Sequence, residues 1–493
     1  MLQPDFDVAG ETKGNTSYLY ERFDDGIPDT WTVQSIPASA SYAWSYGIDY
    51  DGAGGIGGAN AIATGGNTGN ATRLISPFLD LSGAAEDGAL LSFSMINPKS
   101  RTNKRDQLLV FYRVGLHGSW TEIKAYKAAN AAWTEKRVKL PEGAYTNDVQ
   151  ICFAAVNADG LGVGLDNIRL EDCFNIFYDA NGGSGTMSEQ YGYYREEVFL
   201  KENEFTAPDE NMVFAGWNQE PHGAGYDRCQ GFRQTLYYNH LTYYAQWVTK
   251  PTSLDESFED GNIPGAWTLV TSETDKDFLW YVKTGINSAC PDAHDGEKNA
   301  CIYNSKYNQD EAWLLTPWLD LSAMEDAKLE FWYGSRAYYG DYLKFGTYYR
   351  VEGGDWQELF YTESGTESWT QVKMDLPEGA ITASTQIGFK AVDTGYGSLG
   401  VDAVSILDYA NIHTVTYDAN GGSGQMTAEE YFDGQSCTVP ENSFTTPQMA
   451  RGFLCWNTAA DGSGTEYQPG DVFSVTEDVT LYAQWNTILV ELN

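Results

Sequence analysis

Tyr178-Asp179-Ala180-Asn181-Gly182-Gly183-Ser184-Gly185 stands again, residue for residue, as Tyr417-Asp418-Ala419-Asn420-Gly421-Gly422-Ser423-Gly424. Asn-Gly-Gly reverses a chain, because Gly adopts positive φ without steric cost. The strand-like Thr414-Val415-Thr416-Tyr417 leads into the second copy. Downstream, Phe214-Ala215-Gly216-Trp217-Asn218 becomes Phe453-Leu454-Cys455-Trp456-Asn457, and Tyr244-Ala245-Gln246-Trp247 becomes Tyr482-Ala483-Gln484-Trp485. So many matches in one order mark a duplicated β module of about 75 residues.

A longer module precedes each copy. Glu21-Arg22-Phe23-Asp24-Asp25-Gly26-Ile27-Pro28 before Trp31 matches Glu256-Ser257-Phe258-Glu259-Asp260-Gly261-Asn262-Ile263-Pro264 before Trp267. Ser76-Pro77-Phe78-Leu79-Asp80-Leu81-Ser82 matches Thr316-Pro317-Trp318-Leu319-Asp320-Leu321-Ser322. Trp133-Thr134 with Leu140-Pro141-Glu142-Gly143-Ala144 matches Trp369-Thr370 with Leu376-Pro377-Glu378-Gly379-Ala380. Each long module closes on an acid before a strand, Gly164-Leu165-Asp166-Asn167-Ile168 and Gly400-Val401-Asp402-Ala403-Val404. The order is therefore A–B–A′–B′, with A at 17–172, B at 173–248, A′ at 253–409 and B′ at 410–486. Val248-Thr249-Lys250-Pro251-Thr252-Ser253 reads as the linker between halves that flex, whereas A and B should touch. Runs such as Leu108-Leu109-Val110-Phe111-Tyr112-Arg113-Val114 and Lys328-Leu329-Glu330-Phe331-Trp332-Tyr333, separated by Gly, Asn, Asp and Pro, predict β-sandwiches for the long modules.

Composition agrees: 51 Gly, 33 Tyr and 15 Trp favour strands and turns over helices. The formal net charge is −39, which repels nucleic acid and anionic membranes and removes both as partners. No stretch is long and apolar enough to cross a bilayer, so no membrane insertion is expected of this segment. Met1-Leu2-Gln3-Pro4-Asp5 does not read as a signal peptide but as a trimmed start, so export has to be argued from the modules. Of seven Cys, Cys152 sits in the apolar run Val149–Phe153 and reads as core; Cys290 and Cys301 bracket a turn-rich loop and are candidates for a disulfide.

The long modules resemble the cleaved-adhesin or choice-of-anchor J family, jelly-roll modules related in shape to MAM domains. The resemblance lies in Phe-acid-acid-Gly…Ile-Pro…Trp, Pro-x-Leu-Asp-Leu and the closing Asp. The short modules resemble the Listeria–Bacteroides, or internalin-type B, repeat through Tyr-Asp-Ala-Asn-Gly-Gly, Gly-Trp-Asn and Tyr-Ala-Gln-Trp. Cys455 departs from that pattern, as does the irregular stretch 222–239. The resemblance implies an all-β multidomain chain: two jelly-roll sandwiches alternating with two small β-grasp-like modules. It implies export to the bacterial cell surface and an adhesive or spacing role.

Nothing catalytic emerges. The five His (117, 222, 240, 294, 413) form no HExxH, and there is no nucleophile elbow or phosphate-binding loop. Glu21 on the first strand, Asp24 and Asp25 at the turn after it and Asp166 near the last strand recur as Glu256, Glu259, Asp260 and Asp402. Where those strands are neighbours, their oxygens could hold structural calcium, which the resembled family often binds there; the plain alternative is that they form turns and charge strand edges. Trp280, Tyr281, Tyr303, Tyr307, Tyr338, Tyr339 and Tyr342 of A′, and Tyr42, Trp44, Tyr46 and Tyr50 of A, are candidate sugar-stacking rings. The best ligand-binding candidates are Trp280, Tyr281, Tyr303, Tyr338 and Tyr339, whereas the recurring Trp31, Trp267, Trp133 and Trp369 read as core. Three functions follow: a surface adhesin binding a glycan or an extracellular glycoprotein, a non-binding stalk, or a non-catalytic part of a larger secreted hydrolase.

Overall fold

The computed structural model describes residues 15–48, 59–64, 67–86, 88–100, 102–128, 130–225, 227–237, 240–272, 276–283, 291–304, 309–337, 342–366, 368–448 and 450–487. The chain divides into two compact units. The first holds Met1–Thr206, Trp217–Tyr226 and Phe232–Ala245; the second holds Ala207–Gly216, Asp227–Gly231 and Gln246–Asn493.

Each long module is a sandwich of two antiparallel sheets. In A, a five-stranded sheet runs Thr32–Ile36, Ala71–Ile75, Val149–Val156, Gln107–Val114, Thr121–Tyr126. It faces a six-stranded sheet in the order Ala43–Ile48, Ala59–Thr64, Val163–Asp172, Ala89–Ile96, Thr134–Lys139, with Ser17–Glu21 also paired to Val163–Asp172. A′ repeats both orders. Its five-stranded sheet is Thr268–Val270, Glu311–Leu315, Thr385–Val392, Lys344–Val351, Gln357–Thr362. Its six-stranded sheet is Tyr281–Lys283, Asn299–Asn304, Gly397–Asp408, Ala327–Ala337, Thr370–Asp375, with Leu254–Glu256 on Gly397–Asp408. Alternate residues point inward, so Phe93, Phe153, Leu165 and Trp31 close the core of A. Phe258, Trp267, Phe331, Phe345 and Phe389 do so in A′.

The short modules are mixed sheets. Their first and last strands lie side by side and parallel: Phe174–Asp179 on His240–Thr249, and Ile412–Asp418 on Val479–Thr487. The turn that decided the reading of the sequence takes the backbone expected of it. Asn181 and Gly182 have φ of 45° and 93°, Asn420 and Gly421 of 44° and 91°. Asp179 and Asp418 each accept the N–H two residues on, at 2.7 Å, which locks the turn. Trp456 is fully buried and donates its indole N–H to Pro440 O, as Trp217 does to Lys201 O.

A and B touch, as anticipated. Lys139 bridges to Asn175 and Glu189 at 2.8 and 3.0 Å, Arg137 to Glu196 at 2.5 Å, and the Arg169 guanidinium lies 3.8 Å from the centre of the Tyr193 ring. The linker is less free than its composition implied. Lys250 Nζ donates to Ala383 O, and Asp320 N to Pro251 O, both at 2.8 Å, so these residues are fastened to A′. Cys152 is buried core, as expected. Cys301 is disulfide-bonded; Cys290, its anticipated partner, lies outside the described residues.

Candidate functional site

The first and last strands of each long module pair as the acid pattern required. Glu21 lies opposite Ile168, and Glu256 opposite Val404. Asp166 sits where the pairing of Val163–Asp172 with Ala89–Ile96 shifts register, and Asn167 after it takes φ 50°. In A′ the register shifts beside Asp402, and Ala403 takes φ 47°. Such a bulge turns an extra side chain out of the ladder.

Asp166 is fully buried and, among the described residues, accepts from Asn167, the backbone N–H at 2.7 Å and Nδ2 at 3.5 Å. Burial pushes its carboxyl up to about 6, and the like charges of Asp24 and Glu21 add to the rise, against the pull of the Asn167 N–H and of Arg22. Glu21 itself accepts Phe23 N at 2.8 Å, and Arg22 pairs with Asp24 at 3.6 Å. In A′, Asp402 is equally buried, but three backbone N–H groups reach it: His294 at 2.8, Asp295 at 3.1 and Ala403 at 2.8 Å. Burial still raises its carboxyl, and raises that of Glu256, which accepts Phe258 N. Glu259 accepts the N–H groups of Glu297 and Lys298 at 2.9 and 2.8 Å. Asp24, Asp25 and Asp260 are exposed at the turn, and the like charge of Asp260 adds to the rise of Glu256.

Sequence reasoning missed Asn60 and Asn299. Both are fully buried. The register that pairs Ala61 with Leu165 and Ala300 with Val401 sets them opposite Asp166 and Asp402 at the next step. Among the described residues, both amide heteroatoms of Asn60 and Oδ1 of Asn299 have no hydrogen-bond partner. A buried orphan amide is costly, about 1–3 kcal/mol. The signal was in the sequence, an Asn inside the apolar run Ala59-Asn60-Ala61-Ile62, but its position opposite Asp166 needed the register.

Oxygen donors of this kind suit a hard cation such as calcium. In A the chemistry fits: Asp166, with an orphaned Asn60 beside it and Glu21 and Asp24 within electrostatic range. In A′ the loop backbone already occupies the Asp402 oxygens. Among the described residues no three His, Cys, Asp or Glu converge closely enough to hold a metal by themselves.

The aromatic candidates separate by strand alternation. Trp280 is 1% exposed and donates its indole N–H to Ala312 O, so it belongs to the core and not to a binding surface. Its neighbour Tyr281 points outward, 38% exposed, and interacts with Tyr303 on the adjacent strand. Tyr338, Tyr339, Tyr307 and Tyr50 lie outside the described residues. Tyr42 and Trp44 are core; Tyr46 is exposed. Of the recurring Trp residues, Trp31 and Trp267 are buried, but Trp133 and Trp369 are only half-buried. Their indoles lie over glycines of the six-stranded sheets. A Cβ on Gly164 would come within 2.8 Å of Trp133, and one on Gly400 within 2.9 Å of Trp369.

Against known proteins, residues 174–253 and 413–484 match the Listeria–Bacteroides repeat domain. A putative membrane protein of Evansella cellulosilytica is 38% identical over 77 residues, 15% of this chain and 12% of that one. A putative Gly-rich membrane protein of the same organism is 42% identical over 77 residues, 15% of this chain and 9% of its own length. The chain thus spans a small part of these relatives. Among solved structures, the K3 cleaved adhesin domain of Lys-gingipain from Porphyromonas gingivalis aligns at 16% identity, covering 31% of this chain and 98% of its own, with a TM-score of 0.26. TmCBM61 in complex with beta-1,4-galactotriose aligns at 14% identity, 31% and 94% coverage and a TM-score of 0.24. The CBM22-1–CBM22-2 tandem domain of Xyn10C from Paenibacillus barcinonensis aligns at 12% identity, 81% and 99% coverage and a TM-score of 0.25. Shared motifs, the paired turns and the family match agree on the short modules: both match the Listeria–Bacteroides repeat domain.

Proposed function

We propose that this chain is part of an exported bacterial surface protein whose long modules bind a glycan or extracellular glycoprotein and whose short repeats space them. The observation that carries the reading is the presentation of rings on the strands of a sandwich, as at the exposed Tyr281 on the edge strand of A′ and the part-buried Tyr303 on the strand beside it. Rings held on rigid strands offer flat apolar surface to the C–H faces of a sugar at little entropic cost. Catalysis is no part of the proposal, because no acid, base and nucleophile set stands out in the sequence. A glycan and matrix-glycoprotein array, probed with the full chain in calcium and in chelator, tests it. Binding to defined glycans supports the reading; a blank array supports a stalk.

We further propose one structural calcium ion in A, held by Asp166 with Asn60, Glu21 and Asp24 nearby. Its chemistry is charge neutralisation: it would join the first strand to the last and relieve a carboxylate that burial disfavours. The Asp402 site of A′, whose oxygens accept three N–H groups, is expected to bind more weakly.

A further inference from the structure

Trp313 lies on Glu311–Leu315 between Ala312 and Leu314, both fully buried in the core, so its indole lies on the outer face of the five-stranded sheet of A′. Register brings Lys390 beside it, and sets Leu315 and Tyr348 on either side of Gly388. That glycine is a floor. A Cβ there would approach Trp356 Cη2 to 3.0 Å and Trp313 Cε3 to 3.1 Å. Gly346 does the same under Tyr348, at 2.6 Å from Cε2. The rings therefore lie against bare backbone. Trp313 and Trp356 stack with centroids 5.1 Å apart and planes at 25°, and Tyr348 continues the layer at 5.2 Å from Trp313. Arg350 lies 4.6 Å from the centre of the Trp356 ring, its guanidinium held by Gln386 Oε1 at 2.7 and 3.0 Å. Lys390 lies 5.2 Å from that of Trp313 and pairs with Glu311 at 2.6 Å. Glu358 stands 3.4 Å from the Tyr348 hydroxyl.

The first long module supplies an internal control. There Arg113 is held by Gln150 Oε1 at 2.6 and 3.0 Å and lies 4.6 Å from the centre of the Trp120 ring, the same arrangement as Arg350, Gln386 and Trp356. But Arg73, which pairs with Ala154 as Trp313 pairs with Lys390, replaces the second indole. Cys152, between Ile75 and Phe111 as Gly388 lies between Leu315 and Tyr348, fills the floor. The sandwich thus folds without the indole pair. The pair and its glycine floor are specific to A′, which is what a binding surface needs and a folding requirement does not.

We infer that this outer face is a saccharide platform for a neutral pyranose chain. The inference rests on the reading that long modules bind glycans, and it adds a platform on the other sheet from the one that carries Tyr281 and Tyr303. The two stacked indoles and the tyrosine are part-buried, and the ring surface they keep on this face is what sugar C–H groups would meet, while Lys390 and Arg350 on one hand, Glu311 and Glu358 on the other, supply donors and acceptors for hydroxyls. A polyanion is disfavoured by the net charge of −39.

Affinity electrophoresis of the full chain through gels containing soluble xylan, galactan, mannan or β-glucan, with polygalacturonate as the anionic arm, tests this. At least one neutral polysaccharide should retard the wild type, with affinity lowered tenfold or more in Trp313→Ala/Trp356→Ala. Gly388→Cys, which imports the residue of the first module, should lower it severalfold with the melting temperature nearly unchanged; it keeps the test open if the double variant unfolds. Retardation of both variants like wild type would overturn the platform and leave glycan binding standing. Retardation by polygalacturonate alone would overturn the neutral class. No retardation in any gel would overturn the platform, and the glycan reading then stands or falls on the array.

Discussion

Asp166 states the chemistry of the first long module at the residue scale. Its folded-state carboxyl is raised from 3.8 to about 6. A raised group stabilises the fold fully below its unfolded pKa, and that stability is lost as pH climbs through about 6. Without calcium, A should therefore be more stable near pH 4 than near pH 7 as far as this group decides, and Asp166→Asn should flatten that dependence. At pH 7 in chelator the variant should gain about 1–2 kcal/mol, the shift discounted for screening. It should also lose any calcium-induced rise in melting temperature. Differential scanning calorimetry across pH 4–8, with calcium and with chelator, reads both effects. Because protons compete for the same oxygens, the calcium effect should fade below about pH 6. A melting temperature of wild type insensitive to millimolar calcium at pH 7.5 would remove the ion from the account. The acids were legible in the sequence because they recur at matched places in A and A′. Asn60 and Asn299 were not, since what singles them out is their position opposite Asp166 and Asp402.

At the scale of elements, the bulges decide what faces outward. Ala403 has φ 47°, a region an L-residue with a Cβ enters at a cost. Ala403→Gly should raise stability by about 0.5–1 kcal/mol, measured as a higher melting temperature; a fall would mean the lost side chain matters more than the relieved backbone. Trp456 anchors the second repeat, fully buried among Tyr417, Phe444 and Phe453. Trp456→Ala should cost about 3–5 kcal/mol and unfold B′ early in a denaturant titration followed by near-ultraviolet circular dichroism. The repeat's strands and turns could be read from spacing, because Asn-Gly-Gly and Gly-Trp-Asn dictate local geometry. The faces of the sandwich could not. Trp280 and Tyr281 are neighbours with opposite fates, and Ala312-Trp313-Leu314-Leu315 is too uniformly apolar for its pattern to say which side is core. Only register across Thr385–Val392 puts Trp313 outside.

Across the whole molecule, duplication is the organising fact, and the copies have diverged unequally. The two sandwiches share strand order and the Arg–Gln–Trp arrangement on one sheet face, yet A keeps the less encumbered buried carboxylate and A′ the paired indoles. The linker that composition marked as free is hydrogen-bonded to A′. Limited proteolysis should therefore spare Val248–Ser253 in wild type; Lys250→Ala removes one of those ties and should speed cleavage there. Early cutting of wild type at those residues would show the ties to be weak. Asymmetry between the copies also makes the binding claim sharp. Glycan-array binding of the full chain should be compared among wild type, Trp313→Ala/Trp356→Ala and Trp120→Ala. The A′ double variant should lose the neutral-glycan signal while the Trp120 variant of the first module retains it. Equal retention or equal loss in the two variants would contradict the binding claim.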